Sequence, residues 1–182
     1  MPIKCFLIEP TGRAARWLRR YVSGKTTAYD CAGDWHQSFV KIEDAPDTNR
    51  CPESPHNDPR WPTACACGYK FQKDDIWQTF LLSLYRMPNG EEVTLHDSPP
   101  PGATTAPAGA LWFSNWCPGP KKQEAPFLWC MTPGGALGID GTSSNGPGWT
   151  RIGTPPNVTV TPSILITGSY HGFLTSGELI EC

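Results

Sequence analysis

The sequence predicts a mainly β protein of the α+β class, built on a small twisted sheet or a partly open barrel. First, 18 glycines and 20 prolines stand among the 182 residues, about 21% where ~12% is usual, which favours many turns and few long helices. Second, eight Trp, seven Phe and five Tyr indicate a packed core, because disordered chains are poor in aromatic residues. Third, the second half consists of short β-branched and aromatic runs separated by turn residues.

Short apolar or alternating runs predict strands, and their spacing is typical of a small sheet or barrel. They are residues 4–9, 91–96, 110–116, 127–131, 136–140, 149–152, 157–161, 163–167, 170–174 and 178–181. The last two are expected to form a hairpin across Thr175-Ser176-Gly177. Pro88-Asn89-Gly90 predicts a turn that leads into the strand at 91–96.

One amphipathic helix is predicted at about 74–86. Ile76, Phe80 and Leu84 recur every four residues, and Asp74 or Asp75 can cap the first turn. Residues 13–22 fit two interpretations: helical numbering separates their arginines from Trp17, Leu18 and Tyr21, but the segment is short enough to be a strand.

The chain organisation predicted from composition has two parts that pack as one domain. Residues 1–98 form an N-terminal part with the helix and a metal knuckle, and residues 110–182 form a β-rich C-terminal part. A Pro/Ala/Thr-rich linker at 99–109 separates them. Within the first part, residues 41–64 contain five prolines, which forbid a helix and most ladder pairing. That segment needs another source of order, which a bound metal would supply.

A zinc knuckle is predicted around Cys65 and Cys67, which stand one residue apart and are followed by Gly68. Two thiolates at such close spacing can bind one metal ion, and the glycine allows the backbone to turn behind them. In a reducing compartment, clustered cysteines favour metal ligation over disulfides.

Tetrahedral zinc needs two further ligands, and two pairs with the same spacing are available. Cys31 and His36 are favoured, because closure over a long stretch of sequence would tie the irregular N-terminal half together. Cys51 and His56, which lie closer to the knuckle, are the alternative pair. Four protein ligands leave no open coordination position, so the predicted zinc ion is structural rather than catalytic. The four isolated cysteines, Cys5, Cys117, Cys130 and Cys182, are interpreted as small buried hydrophobic residues.

Charge and hydropathy limit the classes of partner. The formal net charge is −2, so nothing attracts the whole chain to nucleic acid or to an anionic membrane. Arg13, Arg16, Arg19 and Arg20 are interpreted as a solvated basic face, with a phosphate or acidic-partner patch as the alternative. No segment reaches the ~18 apolar residues of a membrane span, and the first ten residues do not resemble a signal peptide. A cytoplasmic location is therefore expected.

Candidate binding residues are aromatic. Eight tryptophans are many for a chain of 182 residues, and Trp112, Trp116 and Trp129 are predicted to form a contact surface, with packing on the sheet as the alternative. His171, in the alternating segment 170–174, is a further candidate and would be the base if the metal were catalytic. The sequence contains no phosphate loop, dinucleotide fingerprint or nucleophile motif around Ser143 or Ser144.

Several motifs resemble a group of small uncharacterised tailed-phage proteins. They are Asn-Asp-Pro-Arg-Trp-Pro at 57–62, Cys-x-Cys-Gly-Tyr-x-Phe at 65–71 and Tyr-His-Gly-Phe-Leu at 170–174. The resemblance covers residues 57–182, and the C-terminal part is also similar to a bacterial and phage domain of unknown function. It implies a phage origin and carries no known activity.

Together these observations predict a non-enzymatic, zinc-stabilised phage protein that binds a protein partner. It would act in the host cytoplasm or within the virion, as a virion accessory component or as an inhibitor of a host protein. The alternative is a metal-dependent hydrolase in which His171 acts near the metal. The sequence does not determine the oligomeric state.

Overall fold

The computed structural model describes residues 1–23, 35–46, 51, 53–95, 104–115, 125–141 and 148–182. Within these ranges the regular elements are strands, so the predicted β class is confirmed. The strands are β1 (Ile3–Lys4), β2 (Phe6–Leu7), β3 (Glu9–Ser23), β4 (Trp35–Pro46), β5 (Ile76–Arg86), β6 (Glu92–Leu95), β7 (Ala110–Ser114), β8 (Phe127–Thr132), β9 (Gly135–Gly138), β10 (Thr150–Thr154), β11 (Asn157–Ile166), β12 (Tyr170–Thr175) and β13 (Glu178–Glu181). None of the described residues forms a helix long and apolar enough to cross a membrane.

The predicted helix at 74–86 is wrong, because this segment is the 11-residue strand β5. Residues at spacing four lie on one side of a strand as well as of a helix, since four is a multiple of two. Leu82 and Leu84 are buried whereas Ser83 between them is exposed, which is the alternation of a strand. Trp77, Thr79, Phe80 and Tyr85 also belong to the aromatic and β-branched types that favour strands.

The structure resolves into two compact units. The first comprises Met1–Pro10, Tyr85–Pro100 and Thr104–Cys182, and the second comprises Thr11–Leu84 with Pro101–Ala103. This division differs from the predicted parts 1–98 and 110–182, because the first ten residues and the segment after β5 belong with the C-terminal strands. β1 pairs with β13 and β2 pairs with β7, which explains how the N-terminus joins that unit.

The first unit contains a five-stranded sheet of order β1-β13-β12-β11-β10 and a four-stranded sheet of order β2-β7-β8-β9. A core cluster joins the two sheets: Leu111 and Leu128 from one pack with Val158, Ile164 and Leu174 from the other. The predicted hairpin between β12 and β13 is confirmed. So is the turn before β6, where the Gly90 N–H donates to the Met87 carbonyl oxygen at 2.9 Å.

The predicted tryptophan surface is corrected by the burial of two of its three members. Trp112 and Trp129 face each other on β7 and β8, with ring centroids 5.9 Å apart, and both are buried in a second core cluster. They occupy the sheet interior, which is the packing alternative. Trp116 lies outside the described residues.

Asp140 and Arg151 form a buried ion pair in the same unit. Arg151 Nε lies 2.8 Å from Asp140 Oδ1, and the other carboxylate oxygen accepts the Leu128 N–H at 2.7 Å. The pair joins β10 to the turn that follows β9, so Asp140 has a structural role there.

The second unit contains β4, β3 and β5 in that order across its sheet. β3 and β4 pair from Arg13 to Ser23, which settles the ambiguity of residues 13–22 in favour of a strand. Ala15, Trp17, Leu82 and Leu84 form its core cluster. The segment 53–75 lies outside named strands, and it is held by one bridge between Ala64 and Lys70, by backbone hydrogen bonds of its turns and by side-chain contacts.

Gly172 explains part of the Tyr-His-Gly motif. A Cβ at this position would lie 2.5 Å from the Ile180 carbonyl oxygen and closer still to the Tyr170 hydroxyl. The Tyr170 ring therefore lies where a side chain of residue 172 would be. Its hydroxyl is buried and has no hydrogen-bond partner among the described residues.

The Tyr170→Phe variant is expected to be as stable as the wild type at pH 7 or up to about 1 kcal/mol more stable, because an unsatisfied buried hydroxyl is removed. Burial raises the pKa of Tyr170 above its ordinary value of 10.0. Above pH 10 the unfolded chain releases this proton first, so wild-type stability falls as pH rises. Urea denaturation of both proteins measures their free energies of unfolding. The variant's value minus that of the wild type should be larger at pH 10.5 than at pH 7. A difference that is the same at both pH values would contradict this expectation.

Candidate metal centre

Three potential metal ligands converge in the second unit. His36, Cys65 and Cys67 place their ligand atoms within 4.8 Å of one another, and His36 Nδ1 lies 3.3 Å from Cys67 Sγ. Ligand atoms around tetrahedral zinc stand roughly 3.3–3.8 Å apart, given Zn–S and Zn–N bonds of about 2.3 and 2.0 Å. The cluster is therefore close to the dimensions that a single ion requires.

A backbone turn positions the two cysteine side chains. The bridge between Ala64 and Lys70 is continued by the Cys65 N–H, which donates to the Tyr69 carbonyl oxygen at 2.8 Å. Gly68 has a φ of +95°, in the region that glycine adopts readily, and its N–H donates to the Cys65 carbonyl oxygen at 2.9 Å. The predicted turn behind the thiols is thus confirmed.

His36 comes from a different element. It lies on β4 opposite Val22 of β3 and is 3% exposed. Its ring stacks on Tyr69 with a centroid distance of 4.4 Å and an interplanar angle of 4°. This stacking orients the imidazole, so the sheet supplies one ligand and the irregular segment supplies two. Tyr69 stands two positions from Cys67, and its supporting role is not predictable from that spacing, because it depends on the distant strand β4.

Asp75, at the end of segment 53–75, is hydrogen-bonded to Tyr69. Its Oδ2 accepts the Gln72 N–H at 2.6 Å and the Tyr69 hydroxyl at 3.3 Å. This series of contacts, from Asp75 through Tyr69 to His36, holds the imidazole in place, as partners of metal ligands commonly do.

The candidates for a fourth ligand lie in three places. Cys31 lies outside the described residues. Cys51 is half-buried near Arg16 and is not part of the cluster, and burial raises the pKa of its thiol. His56 is exposed and stacks on Trp77 at 4.8 Å. The described residues therefore bring together three of the four favoured ligands and neither member of the alternative pair.

The arginines of β3 have protein partners. Arg16 pairs with Glu43 at 2.5 Å, and Arg19 donates to Gln37 and Gln78. Arg20 is buried, and this burial lowers the pKa of its guanidinium. These contacts favour an internal structural role for the basic segment over an open phosphate patch.

His171 lies in the first unit, on β12, with an exposed side chain. Its Nε2 is 3.3 Å from the Ser163 hydroxyl oxygen.

Two thiols and one imidazole favour Zn²⁺ among common divalent cations, because sulfur and imidazole nitrogen are its preferred donors. An ion held here would join the segment 53–75 to β4. Searches against family profiles, curated proteins and solved structures found no match for the chain. The phage resemblance accordingly stays a prediction.

Proposed function

We propose that this chain is a non-enzymatic binding protein whose second unit is stabilised by one zinc ion and whose first unit docks onto another protein. Zinc would be held by His36, Cys65 and Cys67, with Cys31 as the fourth ligand. The docking surface would be the outer face of the five-stranded sheet. If the resemblance to phage proteins holds, the partner is a component of the virion or a host protein.

The observation that carries this proposal is the composition of that outer face. Strands β11 and β12 alternate between buried and exposed residues. Phe173 pairs directly with Ile180, and Leu165 pairs with His171. The outward positions are Lys4, Thr150, Ile152, Thr154, Asn157, Thr159, Thr161, Leu165, His171, Phe173, Thr175, Glu178 and Ile180. Four of them are large exposed hydrophobic residues.

The charge of this face indicates the chemistry of its partner. Among those outward positions of the described strands the charged residues are Glu178 and Lys4, which pair across β13 and β1 and cancel each other's charge. One lysine beside a carboxylate cannot neutralise a row of phosphates, which nucleic-acid binding requires. Depletion of charge together with exposed apolar side chains is typical of the centre of a protein interface. The proposed partner is therefore a protein that presents an uncharged, apolar surface.

This proposal is tested by site-specific photocrosslinking in the host. A photoreactive amino acid at Leu165, on the outer face, is compared with one at Ile76, which is similarly exposed in the second unit. The captured protein is then purified and its affinity for the chain is measured. Phe173→Asp is expected to weaken binding at least tenfold, and Ile76→Asp is expected to leave it unchanged.

Two results would contradict the proposal. Equal loss of affinity in both variants would show that the outer face is not the docking surface. Self-association of the wild type in analytical ultracentrifugation, abolished by Phe173→Asp, would assign the face to a second copy of this chain instead. The hydrolase alternative requires His171 as a base near the metal, and among the described residues the polar partner of His171 is the hydroxyl of Ser163.

A further inference from the structure

A cleft of about 520 Å³ lies in the second unit, within the 300–1,000 Å³ range of small-molecule sites. Its walls come from β3, from the irregular segment 53–75 and from the start of β5. The lining side chains that matter for the argument are Arg20, His56, Phe71, Lys73, Asp74 and Trp77.

Arg20 is the unusual feature of this cleft. It is 5% exposed, and its guanidinium lies 3.7 Å from the centroid of Trp77 and 5.2 Å from that of Phe71. Two backbone carbonyl oxygens, those of Pro62 and Gln72, accept its terminal N–H groups. Its Nε has no partner among the described residues.

No carboxylate of the described residues forms an ion pair with Arg20. Asp75 exerts a favourable charge interaction, but its Oδ2 already accepts hydrogen bonds from Gln72 and Tyr69. Buried charges in proteins are ordinarily paired, because removing an ion from water is costly. A buried guanidinium that lines a cleft and lacks an ion-pair partner is therefore suited to an anionic ligand.

The remaining walls define the rest of the ligand. Trp77 and Phe71 offer apolar ring surface, and the His56 ring lies parallel to Trp77 at 4.8 Å. Lys73 and Asp74 are exposed at the cleft. Arg20 and Lys73 stand against Asp74 in the lining and Asp75 next to it, so the four charges cancel, and a monoanion is repelled less there than a doubly charged phosphate.

We propose that this cleft binds a monocarboxylate carried on an apolar, aromatic group. The carboxylate interacts with Arg20 and Lys73, and the aromatic group packs against Trp77 and Phe71. Planar bidentate pairing makes a guanidinium well suited to carboxylate recognition. The ring faces supply the apolar contact that such a ligand needs. This site lies in the second unit and is independent of the docking face proposed for the first.

The test follows the indole N–H resonance of Trp77 by ¹H–¹⁵N NMR, assigned with the Trp77→Phe variant. This group donates to the Lys73 carbonyl oxygen at 3.2 Å and therefore reports on the cleft wall. Phenylacetate, 2-phenylethanol and phenyl phosphate are titrated into the full chain. Phenylacetate is expected to shift the resonance with a Kd on the order of 1 mM, as suits a ligand of this size. The neutral alcohol should bind at least tenfold more weakly, and phenyl phosphate should also bind more weakly.

The variants use exposed lysines so that folding is preserved. Lys73→Gln is expected to weaken phenylacetate binding roughly threefold, the effect of losing one exposed charge. Lys70→Gln, an exposed lysine on the same segment that does not line the cleft, should leave the Kd unchanged. Equal affinity for the alcohol, tighter binding of phenyl phosphate, or no shift with any probe at 20-fold excess over the expected Kd (roughly 20 mM) would each overturn the proposal.

Discussion

Replacing Cys65 by serine is expected to reduce bound zinc from about one ion per chain to nearly none, because tetrahedral zinc sites depend on each of their few ligands. Segment 53–75 then loses the metal-mediated part of its link to His36 on β4, and the stacking of Tyr69 on His36 is left. Metal that binds only the folded state at a thousand times its Kd adds about 4 kcal/mol of stability. Losing it should lower the Tm by roughly 10 °C in a chain of this size. Elemental analysis and thermal denaturation measure the two effects.

Cys51→Ser is the matched control, since Cys51 is a half-buried thiol outside the ligand cluster. It should keep both the zinc and the Tm. Chelation of the wild type should reproduce the loss seen with Cys65→Ser, and Cys31→Ser should do the same if Cys31 supplies the fourth ligand. Wild-type protein without zinc, or a Cys65→Ser variant with a full equivalent, would disprove the metal centre.

Leu82→Ala is expected to destabilise the protein by about 3 kcal/mol, because Leu82 is fully buried in the core of the second unit and its truncation leaves a cavity. Ile76→Ala should cost less than about 1 kcal/mol, because Ile76 is 45% exposed. Urea denaturation of the two variants measures both free energies of unfolding.

This comparison also separates the strand from the helix that the sequence predicts at the same place. A helix would bury Ile76, Phe80 and Leu84 on one stripe and turn Leu82 away from it. Ile76→Ala would then destabilise the protein more than Leu82→Ala. Ser83→Ala, at an exposed position between two buried leucines, should be within about 0.5 kcal/mol of the wild type in either case.

The strands of the second half were predictable because their signals are local. Alternation in 170–174 and 178–181, a glycine-containing turn between them, and the turn at 88–90 each depend on a few neighbouring residues. Strand β11 runs through Pro162, where two shorter strands were predicted, because a register shift between Val160 and Ile164 accommodates the irregularity. The proximity of Cys65 to Cys67 was likewise predictable, because a single residue separates them in the sequence.

Long-range pairing decided the rest. Whether residues 76–86 form a helix or a strand depends on a pairing partner, and β3, some 60 residues earlier in the chain, provides it. The burial of Trp112 and Trp129 depends on the strands and loops that pack against β7 and β8. The pairing of β1 with β13 assigns the first residues to the C-terminal unit.

The sequence by itself determined the β class, the positions of most strands of the first unit and the thiol pair at Cys65 and Cys67, because composition, alternation and short spacings are properties of neighbouring residues. Only the tertiary structure decided that His36, and neither Cys51 nor His56, joins these cysteines among the described residues. It also placed a buried arginine, which has no ion-pair partner in the part of the chain that the structure describes, in an aromatic cleft. Both outcomes depend on backbone pairing between distant segments, which no local pattern specifies.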